Sequence, residues 1–441
     1  MNTQKPEDDV IGGGVQIQMM AKGPEDDDLY GDPEDGLHPL FSEKHKRHSH
    51  MASEEKTIPF ENLELSYYSE TSSIVEIPES GEAFISNMYI HIDISRFLSS
   101  AININGKKIP YFLKNNIGLR CIKRIKVYTN KYTLCDIDSD GLYILLHSFY
   151  SDKPGFKTMI GDYSIEEPTL VSKVVSQHVY LPIPLWFAKT HSQLFPLCMM
   201  DEPLKVKVDF NKGKDIIVEN PDDDFRIAIT LTEYQLGVKL DMEVFYSNES
   251  TLGHTYEGEK EHLAELIVEY KIPTETELSM IKDDRTQEYI IPQLFSMKDS
   301  FKLKQHRYGM GTAGVVYPSL SSFHLACKMI FFVIKANEDF LEFEEIQTCR
   351  IGDKDVVPTE LEYMTPYLKG YTAIPKVYSL CPSLEPSSGH PSGQTYFDTD
   401  IVRITTNTEN DDKYQMKYIK TYAICYNLIR FSNGEITQVF S

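Results

Sequence analysis

Hydrophobic and polar residues alternate one by one over many short runs of this chain. In LKVKVDF at 204–210, Leu204, Val206, Val208 and Phe210 are interleaved with Lys205, Lys207 and Asp209, the period of two that sets one face of a strand on a core and the other in water. Similar β-type runs recur at SIVEI (73–77), AFISNMYIHIDI (83–94), KRIKVYT (123–129), FRIAITLTEYQL (225–236), AELIVEYKI (264–272), CKMIFFVIK (327–335) and YIKTYAICYNLIRF (418–431). DGLYILLHSFY at 140–150 reads instead as a helix, with Asp140 placed to cap it and Pro154 barring its continuation. The pattern predicts an all-β protein with short helical excursions.

The polar, turn-rich stretch NKGKDIIVENPDDD at 211–224 divides the strand-rich part. It predicts a first β domain at 58–211, a linker at 212–223 and a second β domain at 224–441. No internal repeat is visible, so the halves share a style and not a sequence. Residues 1–57 carry an acidic block, PEDDDLYGDPEDG at 24–36, and then the basic KHKRHSH at 44–50. Such a segment buries too little apolar surface to offset its ordering entropy, and a flexible N-terminal arm is expected. At the other end, 418–441 reads as a core strand system. Strict alternation puts Ala423, Cys425, Asn427, Ile429 and Phe431 on one face and Ile424, Tyr426, Leu428 and Arg430 on the other, with Asn433 and Gly434 forming a tight turn or bulge.

Composition sharpens this picture. The 27 Tyr and 22 Phe favour strands, and a net charge of -22 disfavours general binding to nucleic acid. Seven cysteines, scattered with no CxxC pair or zinc-ligand spacing, read as buried reduced thiols. The start MNTQKPEDDV lacks the blocks of a signal peptide, and the apolar run at 325–334 is too short to span a bilayer. A reducing, aqueous compartment is the expectation.

Candidate chemistry is sparse. GMGTAG at 309–314 has the spacing of a dinucleotide-binding loop, but the β-branched VVYPSLSS follows it where a helix is required, so it reads as a loop. GxSxG, HExxH and Walker A patterns are missing, and acidic pairs such as those at 222–224 sit in turn-rich, solvated tracts. His45, His48 and His50 lie in the arm, where His-rich tracts usually ligate nothing in particular. His91, His147, His178, His191, His254, His262, His306, His324 and His390 form no HxH pair. Trp186, flanked by prolines and apolar residues, reads as packing, and the sequon at Asn248 has no secretory route behind it. No catalytic residue, cofactor-binding residue or metal ligand is assigned.

The segment VYLPIPLWFAKTHSQLFPLCMM at 179–200, followed by LKVKVDF, resembles the hallmark of the major capsid proteins of nucleocytoplasmic large DNA viruses. The matching residues are Leu181, Pro182, Pro184, Leu185, Trp186, Phe187, Leu194, Pro196 and Leu197; the family's usual Ala-Leu-Pro-Leu element is Leu-Phe-Pro-Leu at 194–197. In the family's order come NIGLRCIKRIKV at 116–127, Met159-Ile160-Gly161, FHLACKMIFFV at 323–333, Pro391-Ser392-Gly393 with Arg403, and a closing strand with Asn427, Arg430 and Gly434. The resemblance covers about 58–441 and extends to virophages and polinton-like elements. It implies two consecutive eight-stranded antiparallel jelly rolls. It also implies a non-enzymatic coat subunit that forms homotrimers of pseudo-hexagonal outline, tiles an icosahedral shell in the host cytoplasm and meets minor capsid or penton proteins. The arm is a candidate contact to an internal membrane or membrane protein; sequence-specific nucleic-acid binding is not implied. Two alternatives stand beside this: a double jelly-roll scaffold of immature particles, and a carbohydrate-active or cupin-like enzyme on a β-sandwich.

Overall fold

The computed structural model describes most of residues 51–439. Residues 1–50, 219–263, 305–312, 408–416 and shorter stretches, chiefly 61–69, 94–100, 163–168, 171–177, 189–193, 212–216, 337–341, 388–391 and 396–401, lie outside the described residues. The expected arm, the run at 225–236, Gly309 and Gly311, Pro391 and most of the expected linker therefore fall outside them.

Two sandwiches of antiparallel strands build the fold. The first pairs a sheet ordered β1 (Ala52–Pro59), β13 (Ala264–Ile272), β3 (Phe84–Asp93), β10 (His178–Pro182) with a sheet ordered β2 (Thr71–Ile77), β11 (Leu204–Phe210), β7 (Ile122–Tyr128), β8 (Thr133–Asp138). Strict alternation in β11 and β13 gives buried and half-buried residues in turn. Their inward residues, Val206 and Val208 against Leu266 and Val268, join Ile85, Ile90, Ile125 and Val127 in one core. Each such side chain contributes about 1.5 to 3 kcal/mol on burial.

The second sandwich pairs a sheet ordered β14 (Thr286–Ser300), β22 (Tyr418–Ser432), β17 (Cys327–Lys335), β20 (Tyr378–Leu380), with β23 (Glu435–Gln438) added to β22, and a sheet of shorter strands. That sheet is ordered β15 (Lys302–Lys304), β16 (Ala313–Val316), β21 (Val402–Asn407), β18 (Thr348–Ile351), β19 (Lys354–Val356). Ile330, Phe332, Ile334, Ile419, Ala423 and Cys425 meet Val316, Cys349, Val402 and Ile404 in its core. Small pairings, β4 (Ile102–Ile104) with β5 (Lys107–Ile109) and β6 (Phe112–Leu113) with β9 (Thr169–Leu170) and β12 (Ile217–Val218), complete the strands.

Three sequence expectations need correction. Ala52–Pro59 is a strand, registered from Ala52↔Ile272 to Pro59↔Glu265, so residues 52–57 belong to a sheet and not to the arm. β13 lies beyond the expected linker, yet it pairs with β1 and β3 and sits in the middle of the first sandwich. Strand period fixes which residues face inward, but partner choice is tertiary and leaves no local mark. Finally, the faces of β22 do not keep one parity. Ala423 and Cys425 enter the second core, whereas Ile429 and Phe431, of the same parity, enter the first. A strand of 15 residues spans about 50 Å at 3.3 Å per residue, and over that length right-handed twist turns one face from one core to the other.

Candidate functional site: the seam between the sandwiches

The first sandwich meets the second where β8 runs into the helix Ser139–Tyr150. Asp138 is extended and accepts a hydrogen bond from the Gly141 backbone N–H at 2.9 Å, which makes it the N-cap. The cap is thus two residues earlier than Asp140, the residue expected there. Gly141 is required for a separate reason: a Cβ would lie 2.9 Å from Cε1 of Tyr422. The helix end approaches β22 of the second sandwich that closely.

Asp140, released from capping, is buried in the first turn of the helix and receives Lys335 Nζ at 2.6 Å and Lys420 Nζ at 3.0 Å. Lys420 Nζ also donates to Asp138 at 3.0 Å, and the Tyr422 hydroxyl donates to the two Asp138 oxygens at 2.9 and 3.1 Å. The Lys335 side chain has no exposed surface and that of Asp140 only 4%. Two carboxylates and two ammonium groups leave the cluster neutral, the condition under which buried charges offset their desolvation. Burial opposes ionisation of Asp140, but Lys335 and Lys420 outweigh it and hold the carboxyl below its usual range. Lys420 is itself desolvated, yet Asp138 and Asp140 raise it well above an ordinary lysine. Burial first, then both aspartates, push the Tyr422 phenol far up, so it remains a donor.

The contact continues past this cluster. The Thr133 carbonyl accepts from Gln293 Nε2 at 3.2 Å and Gln438 Nε2 at 3.1 Å, and Asn427 Nδ2 in turn donates to Gln293 Oε1 at 2.9 Å. The turn between β22 and β23 docks on the first sandwich: Asp201 N–H donates to the Gly434 carbonyl at 2.9 Å. Gly434 has φ +79°, and a Cβ there would stand 1.8 Å from Asp201 Oδ2. Phe195 meets Phe431 edge to face at 5.5 Å. On the far side Thr372 N–H donates to the Ser148 carbonyl at 3.0 Å. The arrangement ties the two sandwiches together through buried ion pairs and hydrogen bonds.

Other sequence features fall as follows. Gly314 lies within β16, a strand where a nucleotide loop needs a helix. Trp186 is buried beside Phe187 and Phe195, with ring centroids 5.1 and 6.1 Å away. All seven cysteines are free thiols, and burial pushes Cys121 and Cys135 up to about 12. Gly393, at φ +131°, follows Ser392, whose hydroxyl lies 2.6 Å from that of Ser383. The histidines are not all scattered: β3 and β10 bring His91 and His178 together across the strands. Among the described residues no group of three or more His, Cys, Asp or Glu side chains is arranged for a metal ion, and no helix is long and apolar enough to cross a membrane. The seam itself escaped sequence reading. Its signal was Lys335 closing a run of otherwise apolar residues on a strand buried throughout.

Comparison with known proteins agrees with this architecture. Residues 39–255 match the family model described as major capsid protein N-terminus. Among solved structures, PBCV-1 VP54, as fitted into a reconstruction of the virophage Sputnik, aligns with a TM-score of 0.62 at 12% identity, covering 91% of this chain and 100% of the other. The Faustovirus major capsid protein aligns with a TM-score of 0.57 at 11% identity, covering 95% and 97%. No curated protein sequence matches the chain.

Proposed function

We propose that this chain, which belongs to the major capsid protein family through its N-terminal half and has that family's double jelly-roll fold, builds an icosahedral virus shell as a homotrimer. Three chains supply six sandwiches, a pseudo-hexagonal unit that tiles a closed lattice by repeated self-association. The observation that carries the trimer reading is the seam, since a unit of six requires that the two sandwiches of each chain keep one angle.

A second feature supports self-association. Val357, Tyr363, Met364, Tyr367 and Leu368 project from the segment 357–369 with 47 to 84% exposure, and Leu384 beside it is 73% exposed. Lys369 Nζ holds the two segments together by donating to the Ser383 carbonyl at 2.7 Å. Apolar residues clustered this openly mark a contact surface, and the occupant we assign is a second copy of the chain. The remaining parts of the reading are that minor capsid or penton proteins and, through residues 1–50, an internal membrane surface are further partners, that assembly occurs in the host cytoplasm and that the chain carries no catalytic activity.

Sedimentation of the purified protein tests the reading. A species near three times 50.6 kDa is expected, and Tyr367→Asp with Leu368→Asp shifts it toward monomer while unfolding changes by less than about 0.5 kcal/mol. A stable monomer at micromolar concentration overturns the trimer.

A further inference from the structure

Outside the seam, one group of side chains on the first sandwich has the geometry of a ligand set. His91 on β3 and His178 on β10 stand on neighbouring antiparallel strands, His91 directly across from Tyr180 and His178 directly across from Asp93. The diagonal puts His91 Nε2 3.1 Å from His178 Nδ1. On the other side of the ring, His91 Nδ1 lies 3.2 Å from Glu265 Oε2, on β13. Tyr180 stacks on His91 at 4.8 Å and 19° and holds the ring in this orientation.

From this geometry we infer a surface site for a divalent transition-metal ion of the zinc, nickel or copper class, held by His91 Nε2 and His178 Nδ1. With Glu265 beside it, Nδ1 of His91 carries the proton and donates it to the carboxylate, so Nε2 presents its lone pair to His178. In the metal-free state the 3.1 Å contact is bridged by the proton on His178 Nδ1. A metal ion takes that proton's place, and the proton passes through solvent from Nδ1 to Nε2 of His178, so the ring changes tautomer and stays neutral with no net release. Two nitrogens bound to one tetrahedral zinc at about 2.0 to 2.1 Å lie about 3.3 Å apart, so binding asks for only a few tenths of an ångström of movement. Glu265 completes the carboxylate–histidine–metal relay that orients metal-bound imidazoles and raises their basicity.

Water fills the remaining positions, because no third His, Cys, Asp or Glu among the described residues completes the set. The site is therefore open. The metal ties β10 to β3, and β10 leads directly into Ile183, Leu185 and Trp186 of the first core.

The experiment is calorimetric titration of the full-length chain with Zn²⁺ and, separately, Ni²⁺ at pH 7.5. His45, His48 and His50 are replaced by Gln in that chain, since they offer a competing chelator. One equivalent is expected to bind per chain. Exposed His178→Gln lowers affinity at least tenfold, Glu265→Gln lowers it about 10- to 100-fold, and His147→Gln leaves it unchanged. With Cu²⁺, electron paramagnetic resonance is expected to show two nitrogen ligands in the parent and one in His178→Gln. Circular dichroism and sedimentation identical to the parent establish that His178→Gln is folded. Absence of binding, or binding untouched by both His178→Gln and His91→Gln, overturns the site.

Discussion

The two sandwiches are built from strands of different character. In the first, β11 and β13 each give one face to the core and one to the surface, and their polar residues alternate accordingly. In the second, every residue of β17 is buried. Ile330, Phe332 and Ile334 belong to the second core, while Met329, Phe331 and Val333 on its other face belong to the first. The first sandwich faces water with its outer surface; the second uses its main sheet as a wall between two cores. On that wall Lys335 cannot reach solvent and is matched by Asp140 from across the seam, and the half-buried Lys420 is matched by Asp138 and Asp140.

The sharpest way to break this difference is to remove one partner of the buried set. Asp140→Asn leaves Lys335 without its counter-charge and is expected to cost about 3 to 5 kcal/mol in urea unfolding. The same substitution in a surface pair, Glu435→Gln opposite Lys131, is expected to leave the urea midpoint close to the parent's, both partners being more than half exposed. Replacing Asp140 and Lys335 together by Leu and Met is expected to recover part of the loss, because no unpaired charge then stays behind.

Acid probes the same wall. Asp140 has a depressed carboxyl, so its stabilisation is present above the unfolded value, about 3.9, and is lost as pH falls through and below it. His147, in the helix that contributes Asp140, acts at higher pH. Burial lowers it from 6.5 to about 4, between Tyr143 and Phe156, and its Nε2 has no hydrogen-bond partner among the described residues. The unfolded chain binds that proton more readily, so stability is complete above pH 6.5 and falls progressively toward pH 4, by up to about 3 kcal/mol. His147→Met is expected to flatten the stability profile between those values in chemical denaturation at stepped pH.

A smaller effect is expected at the far end of the contact. Gly434→Ala forces a side chain onto φ +79° and against Asp201, for about 1 to 3 kcal/mol. Asp201→Gly in the same chain removes the overlap and not the backbone cost, so partial recovery of the thermal midpoint separates the two.

What was legible in the sequence follows the same division. LKVKVDF at 204–210 and AELIVEYKI at 264–272 could be read residue by residue, because water on one face writes the alternation. CKMIFFVIK at 327–335 could be read as a strand but not assigned faces, since both are apolar and a bulge between Cys327 and Met329 shifts the register. Asp140 looked like a cap because cap preference is local; that Asp138 takes the cap and Asp140 meets Lys335 depends on a strand almost two hundred residues away. The pairing of His91 with His178 depends in the same way on β3 lying beside β10.

The place of β13 in the first sheet has a consequence for synthesis. Among the described residues β1 pairs with β13 alone, and β13 also covers the long edge of β3. At about 5 to 20 residues per second, roughly 10 to 40 s pass between translation of Pro59 and of Ala264. From the completion of β3 at Asp93 to the end of that interval the nascent chain exposes that strand's long edge unpaired, the kind of template that joins strands from neighbouring ribosomes. A protein made in the quantity a shell demands therefore spends its most aggregation-prone seconds still attached to the ribosome, and ribosome-bound chaperones are expected to crosslink most strongly to nascent chains that end short of residue 272.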